Sequence, residues 1–222
     1  MEHLKAKKYL MRLKVVTDDP HDLFWLNKRI EFISFEHFIN SPQKADLVYF
    51  SGGADVNPEV YNEITLSHTC YDPYRDAEEI KVYNLAKGLS IPFLGVCRGG
   101  QLLTALQPGG RLIQDVTGHG LGHTIKTSEG KVLLVTSTHH QMMYPFNTDH
   151  ELLATSSSTL STYYMVGYYE HQDRIIKKYG EPEVVFYPGT KALAIQGHPE
   201  YGTATRQFRR YCRSLVENKL LQ

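Results

Sequence analysis

Gly95-Val96-Cys97-Arg98-Gly99 lies between a short apolar run at residues 91–96 and a helical stretch at residues 101–106 that Pro108-Gly109-Gly110 ends. A chain that passes from strand to helix in so few residues must turn sharply, and the residue at the apex takes up a strained backbone conformation. Residues two positions to either side then have no room for a Cβ, which the two glycines satisfy. The apex side chain stands above the strand's C-terminal end and at the helix N-terminus, where the helix dipole and free N–H groups favour thiolate over thiol. Cys97 is therefore a candidate nucleophile. The plainer alternative is a small buried cysteine that happens to be flanked by glycines.

The rest of the chain sets this turn in an alternating pattern. Residues 11–17, with Val15-Val16, read as a strand that stops at Asp18-Asp19-Pro20. Residues 22–39 are expected to form a helix and then a short strand at 31–35. Residues 46–50 read as a buried strand, broken at once by Ser51-Gly52-Gly53. Ala77, Ile80, Tyr83, Leu85 and Ala86 mark one face of a helix over residues 76–87, with Gly88 after its last turn. Residues 131–136 are rich in β-formers, whereas residues 150–180, dense in Ser, Thr and Tyr, show no usable period. Residues 183–187 and 192–196, joined by Pro188-Gly189-Thr190-Lys191, predict a hairpin, and residues 206–221 a closing helix. The expected fold class is α/β, a mainly parallel central sheet flanked by helices with antiparallel hairpin additions. No internal repeat or linker is visible, so residues 1–222 are expected to form a single domain.

Composition narrows the function classes. Lys plus Arg equals Asp plus Glu, 24 against 24, which gives no electrostatic argument for nucleic acid or an anionic membrane as a partner. No apolar run approaches the roughly 20 residues of a membrane span, and residues 1–8 lack the apolar core of a secretory leader. Three cysteines without zinc-type spacing then point to a reducing, cytoplasmic setting. Neither a metal nor an organic cofactor is expected.

A nucleophile needs a base and a place for developing charge. Of eleven histidines, His198 in Gln196-Gly197-His198-Pro199-Glu200 follows an apolar strand directly. Glu200, two residues on across a stiffening proline, can reach the far ring nitrogen and fix the tautomer. Taken alone, His198 would be a histidine at a strand end and Glu200 a solvated carboxylate. Gly52 or Gly53 allows close approach of a backbone N–H, which with the N–H of Arg98 would hold an oxyanion; an ordinary strand-to-loop turn is the alternative. His119 and His123 are four apart, and His139-His140 adds two more, but glycine-broken loops do not present a helical ligand face, so metal binding is not expected. His123 is expected to line the substrate pocket instead. The fifteen tyrosines fit half-buried strand positions, and Cys70 and Cys212 have no glycine elbow.

Taken in order, Gly52-Gly53-x-Asp55-Val56-x-Pro58-x-x-Tyr61, Arg75-Asp76-x-x-Glu79, residues 91–101, Ser137-x-His139-His140-Gln141 and Gln196-x-His198-Pro199-Glu200 resemble the class I glutamine amidotransferase superfamily. Within it the chain is most similar to the stand-alone gamma-glutamyl-gamma-aminobutyrate hydrolase type, over about residues 50 to 200. The resemblance implies a flavodoxin-like fold, a Cys97–His198–Glu200 triad, and an oxyanion hole made by the backbone of Gly53 and Arg98. Gly52, Gln101, His123, Ser137, His139, His140 and Gln141 would lie along the pocket for a small-molecule γ-glutamyl substrate. Three readings follow: a self-sufficient γ-glutamyl amide hydrolase, a glutaminase subunit that feeds ammonia to a synthase on another chain, and a non-catalytic binding module. No G-x-x-x-x-G-K-[ST] phosphate loop follows the amidase region, which favours the first. Two departures bear on the leaving-group pocket. Gln107-Pro108-Gly109-Gly110 reads one residue longer than the usual leucine-glycine-glycine, and Gly197 replaces a bulky aromatic, which is expected to leave extra room beside the base.

Overall fold

The computed structural model describes residues 12–166, 169–171 and 174–222. Its first half alternates strand and helix: β1 (Arg12–Val16), β2 (Arg29–Ile33), α1 (Phe35–Asn40), β3 (Leu47–Phe50), α2 (Pro73–Gly88), β4 (Phe93–Val96) and α3 (Arg98–Ala105). Ser34 caps α1 by accepting from the His37 N–H, and the Asp72 side chain accepts from the Tyr74 and Arg75 N–H groups at the start of α2. Short strands follow: β5 (Arg111–Ile113), β6 (Asp115–Val116), β7 (His123–Thr127), β8 (Val132–Val135), β9 (Met142–Tyr144), β10 (Glu151–Ser156), β11 (Tyr164–Val166) and β12 (Tyr169–His171). The chain closes with α4 (Arg174–Tyr179), β13 (Pro182–Tyr187), β14 (Ala192–Ile195) and α5 (Arg206–Leu215), which one π turn extends over Val216–Leu220.

Nine of these strands form one sheet in the order β2-β1-β3-β4-β14-β13-β10-β7-β8. The first five are all parallel, and their order is the 2-1-3-4-5 of flavodoxin-like sheets. From β13 onward every neighbour is antiparallel. The predicted α/β architecture is therefore present, and the predicted hairpin is β13–β14, with Val184 opposite Ile195. The antiparallel part extends beyond that hairpin by three strands.

Burial on both faces explains the apolar runs. Along β3, Leu47 and Tyr49 face one core and Val48 and Phe50 the other. Phe208 and Cys212 of α5, with Trp25, cover the first face; Val82 and Tyr83 of α2 and Leu102 and Leu103 of α3 cover the second. Among the described residues, no helix is long and apolar enough to cross a membrane.

Three local expectations change. The segment expected to be a helix from residue 22 is a 3-10 turn, Pro20–Leu26, closed by Asn27 in the left-handed region at φ 54°; the strand after it lies at Arg29–Ile33, two residues earlier than expected. The helix after Cys97 begins at Arg98, not Gln101, because its first turn is built through Gly99 and Gly100 despite their poor helix propensity. The region without a usable period contains β10, an interior strand of the large sheet. Register shifts between Leu152 and Ala154 and between Ala154 and Thr155 interrupt the two-residue alternation that would have revealed it.

The glycines in the turn are set by contact. A Cβ on Gly95 would lie 2.3 Å from the Gly99 carbonyl oxygen, and one on Gly99 would lie 2.1 Å from the Phe50 carbonyl oxygen. Gly99→Ala must therefore push α3 off β3. Its expected cost is at least about 2 kcal/mol, read from the urea midpoint and slope against wild type.

Candidate active site

Adjacent parallel strands deliver the parts. β3, β4 and β14 lie side by side, and from their C-terminal ends come Ser51-Gly52-Gly53, Cys97 and His198 respectively. Their meeting is a consequence of strand order, although a hundred residues separate the last two. Cys97 is 7% exposed and has φ 51° and ψ −113°, a conformation that L side chains rarely adopt, and it occupies the N-cap position of α3. Its N–H donates to the Ile195 carbonyl at 2.7 Å, which ties the strained residue to β14.

His198 is buried and held at both ring nitrogens. Nδ1 lies 2.6 Å from Glu200 Oε1, and Nε2 lies 3.0 Å from the Thr138 hydroxyl. The ring stacks on Tyr201, with centroids 4.1 Å apart and planes 15° from parallel. Its other neighbour is Gly52, where an added Cβ would sit 3.2 Å from His198 Cε1 and 3.6 Å from Cys97 Cβ. Burial alone would pull the imidazolium down, but interaction with the neighbouring Cys97 and with Glu200 outweighs it and raises the pKa from 6.5 to about 9.

Below the turn lies a buried ionic network. The Arg98 guanidinium donates to Glu79 and Asp76, both on α2, and Arg75 Nε donates to the second Glu79 oxygen at 2.9 Å. Arg75 Nη2 reaches the Ser51 carbonyl at 3.3 Å and its hydroxyl at 3.1 Å, and the Gly99 N–H donates to the same carbonyl at 3.1 Å. The network thus locks the β3 loop to the start of α3. Gly53 has φ 143°, and a Cβ there would collide with Arg75 Nη1 at 2.3 Å. Among the described residues, the backbone N–H groups of Gly53 and Arg98 have no hydrogen-bond partner.

A cavity of about 150 Å³ is lined by Gly53, Asp55, Cys97, Gln101, Thr138, His139, His140, Gln141, His198 and Tyr201. A wider depression, lined by Asp22, Gly52, Gly53, His198, Glu200, Tyr201, Gly202 and Thr203, adjoins it. Gln101 Nε2 donates to the Gln141 carbonyl at 2.8 Å, and His139 Nδ1 meets the same oxygen at 2.7 Å. Burial lowers the His139 pKa to about 3, so this ring is neutral. The Gln141 side-chain amide is buried and unpartnered at both oxygen and nitrogen.

Most residues singled out in the sequence converge here: Cys97, Gly53, Gln101, His139, His140, Gln141 and His198 at the cavity, Gly52 and Glu200 beside it, and Arg98 through its backbone. Two do not. The Ser137 hydroxyl donates to the His119 carbonyl at 2.5 Å, and His123 Nε2 pairs with Glu183 Oε1 at 2.7 Å, so both are engaged behind the cavity wall. The extra room expected at Gly197 is also absent. Phe208 of α5 fills it, and a Cβ on Gly197 would lie 3.2 Å from the Phe208 ring and 3.3 Å from Val135 Cβ. Thr138 and Tyr201 also line the cavity although the sequence does not single them out, and Asp55, read there only as part of a motif, lines it too. Spacing does not say which neighbour of a motif residue turns inward.

Similarity to known proteins points the same way. The peptidase C26 family profile matches residues 35–172. A glutamine amidotransferase-like protein of Lactococcus lactis subsp. lactis (strain IL1403) is 31% identical over 188 residues, 78% of this chain and 73% of the relative. Its homologue in Lactococcus lactis subsp. cremoris is 33% identical over 149 residues, 66% of this chain and 71% of the relative. Among solved structures, a glutamine amidotransferase from Thermotoga maritima superposes with TM-score 0.56 at 16% identity over 96% of this chain and 86% of that one. A GMP synthase subunit from Thermoplasma acidophilum gives TM-score 0.57 at 15% identity over 93% of this chain and 96% of that one. At these identities the two structures speak for the fold alone.

The raised imidazole carries a pH signature. A folded-state value above the unfolded 6.5 contributes stability that is fully present below 6.5 and lost as pH rises through about 9. The His198 Cε1 proton should titrate near 9 in an NMR pH series and fall toward 6.5 in Glu200→Gln. An unchanged midpoint in that variant would show that Glu200 does not hold the charge.

Proposed function

The chain belongs to the peptidase C26 family, glutamine amidotransferase-like hydrolases acting on C–N bonds, and on that premise we propose that it cleaves a γ-glutamyl amide through a thioester on Cys97. The observation that carries the reading is the posture of His198. Glu200 fixes one ring nitrogen at 2.6 Å, while the other is turned to the cavity that Cys97 shares. A base held in one tautomer beside a strained cysteine is the arrangement that nucleophilic amide cleavage requires.

The steps follow from the placement. The proton shared by Cys97 and His198 rests on the imidazole, a state its raised pKa favours, and Sγ forms a bond to the substrate side-chain carbonyl carbon. The carbonyl oxygen gains the electron pair and meets the free N–H groups of Gly53 and Arg98, each such donor being worth about 2.7–4 kcal/mol in the transition state. As the C–N bond breaks, His198 returns the proton to the leaving amine. Water, deprotonated by His198, then attacks the γ-glutamyl thioester and releases the acid and the thiol. The Thr138 hydroxyl holds Nε2 at 3.0 Å until the reacting groups displace it. The cavity, lined by Gln101, Thr138, His139, His140 and Gln141, is polar and too small for a folded peptide, which suits a glutamyl head.

A screen of γ-glutamyl amides, with glutamine as control, tests the reading. Cys97→Ala should abolish turnover, and Glu200→Gln should lower kcat by about 10³-fold or more while Cys97 still reacts with a glutamine-analogue electrophile. Wild-type turnover in Cys97→Ala would sink the mechanism. Absence of any Cys97 adduct would favour a binding module, and glutaminase activity that appears only with an added synthase would favour the ammonia-supplying subunit.

A further inference from the structure

Behind the cavity wall lies a second, largely buried cluster that the cysteine chemistry leaves unused. It is assembled from the loop before β7 (His119), the first residue of β7 (His123), and two alternate residues around the start of β13 (Glu181 and Glu183). His119 is 0% exposed and Glu183 1%. His119 Nδ1 lies 3.4 Å from Glu183 Oε1 and Nε2 lies 3.3 Å from Glu181 Oε2, ion-pair distances without hydrogen-bond geometry, and Glu183 Oε2 has no hydrogen-bond partner. His123 Nε2 approaches Glu183 Oε1 at 2.7 Å. Two imidazoles and two carboxylates drawn together this far from bulk water must either pair with one another or bind a metal, and the pairs here fall short of hydrogen-bond geometry at His119.

We propose that His119 Nδ1, His123 Nε2 and Glu183 form a transition-metal site whose fourth position is left to a water reaching it past the partly exposed His123, with Zn²⁺ the ion that best fits two imidazoles and one carboxylate. The donor atoms all lie within 4.8 Å of one another. Ligands at about 2.0–2.2 Å around a tetrahedral ion are roughly 3.4 Å apart, which the His119–Glu183 pair already matches. The His123–Glu183 pair must open by roughly half an ångström; the proton it shares leaves to solvent as the ion enters.

The outer partners also fit. Zinc-bound histidines give their second nitrogen to a carboxylate or a carbonyl, and here His119 Nε2 faces Glu181 while His123 Nδ1 faces the Leu121 carbonyl at 3.3 Å. Glu181 is itself fixed by the Leu160 and Ser161 N–H groups, the Ser156 hydroxyl and the Tyr164 hydroxyl. One role follows from position. The His119 ring packs on His139 with centroids 4.7 Å apart, and His139 lines the Cys97 cavity, so the ion would brace that wall from behind. Spacing along the chain argues against metal because His119 and His123 share no helical face. The ligand that completes the set stands on β13, 60 positions from His123.

The test does not depend on the hydrolase reading, because it reads metal and stability rather than turnover. Full-length, tag-free protein from zinc-supplemented cells should carry about one zinc per chain by inductively coupled plasma mass spectrometry, and His123→Ala and Glu183→Gln should lose it. Chelator-stripped wild type should melt at a lower temperature and recover with Zn²⁺ but not with Mg²⁺, and Co²⁺ should produce visible d–d bands of tetrahedral intensity. Wild type that purifies metal-free and whose Tm is unmoved by Zn²⁺ overturns the proposal, as does metal retained by both variants. If the variants do not fold, Co²⁺ addition to stripped wild type decides alone: no bands and no shift in Tm reject the site.

Discussion

The close approach of α3 to the end of β3 is the constraint on which the rest turns. Where a Gly99 Cβ would stand there is already a Phe50 carbonyl, so helix and strand meet backbone to backbone. The chain must leave β4 and enter α3 within one residue, and Cys97 is that residue, at φ 51°. Strain at this position is sustained because its surroundings over-determine it: one N–H bond to β14, a carbonyl that accepts from Gln101, and glycines on either side.

Buried charge makes the arrangement specific. Arg98, Arg75, Asp76 and Glu79 are two cations and two anions, three of them almost wholly buried. Networks of this kind add little net stability over an apolar packing, but losing one partner costs about 3–5 kcal/mol. Their effect here is geometric. They couple α2 to both loops that supply free N–H groups, so that the β3 loop and the start of α3 cannot shift independently. The motif Arg75-Asp76-x-x-Glu79 is visible in the sequence as a resemblance only; the structure supplies its physical reason.

Legibility followed the range of the forces involved. The elbow at Cys97, the helix over residues 73–88, the hairpin ending at Ile195 and the His198–Glu200 pair are each set by residues close in sequence, and each is readable there. Parallel order can be anticipated from the alternation of strand and helix. Interior strand β10 cannot, because bulges erase its period, and neither can the filling of the Gly197 gap by Phe208, which requires knowing where α5 docks. His123 and Ser137 are drawn to the expected pocket by their place in the sequence. The partners that hold them away from it, Glu183 and the His119 carbonyl, are contacts made only in three dimensions.

Phe208 has a consequence of its own. The space over Gly197, the residue before His198, is filled not by a strand-end side chain but by the last helix, whose Phe208 and Cys212 also seal one face of the sheet. The turn that carries His198 and the last helix are therefore coupled: loosening that one amphipathic segment would bare both the sheet face and the backbone at Gly197.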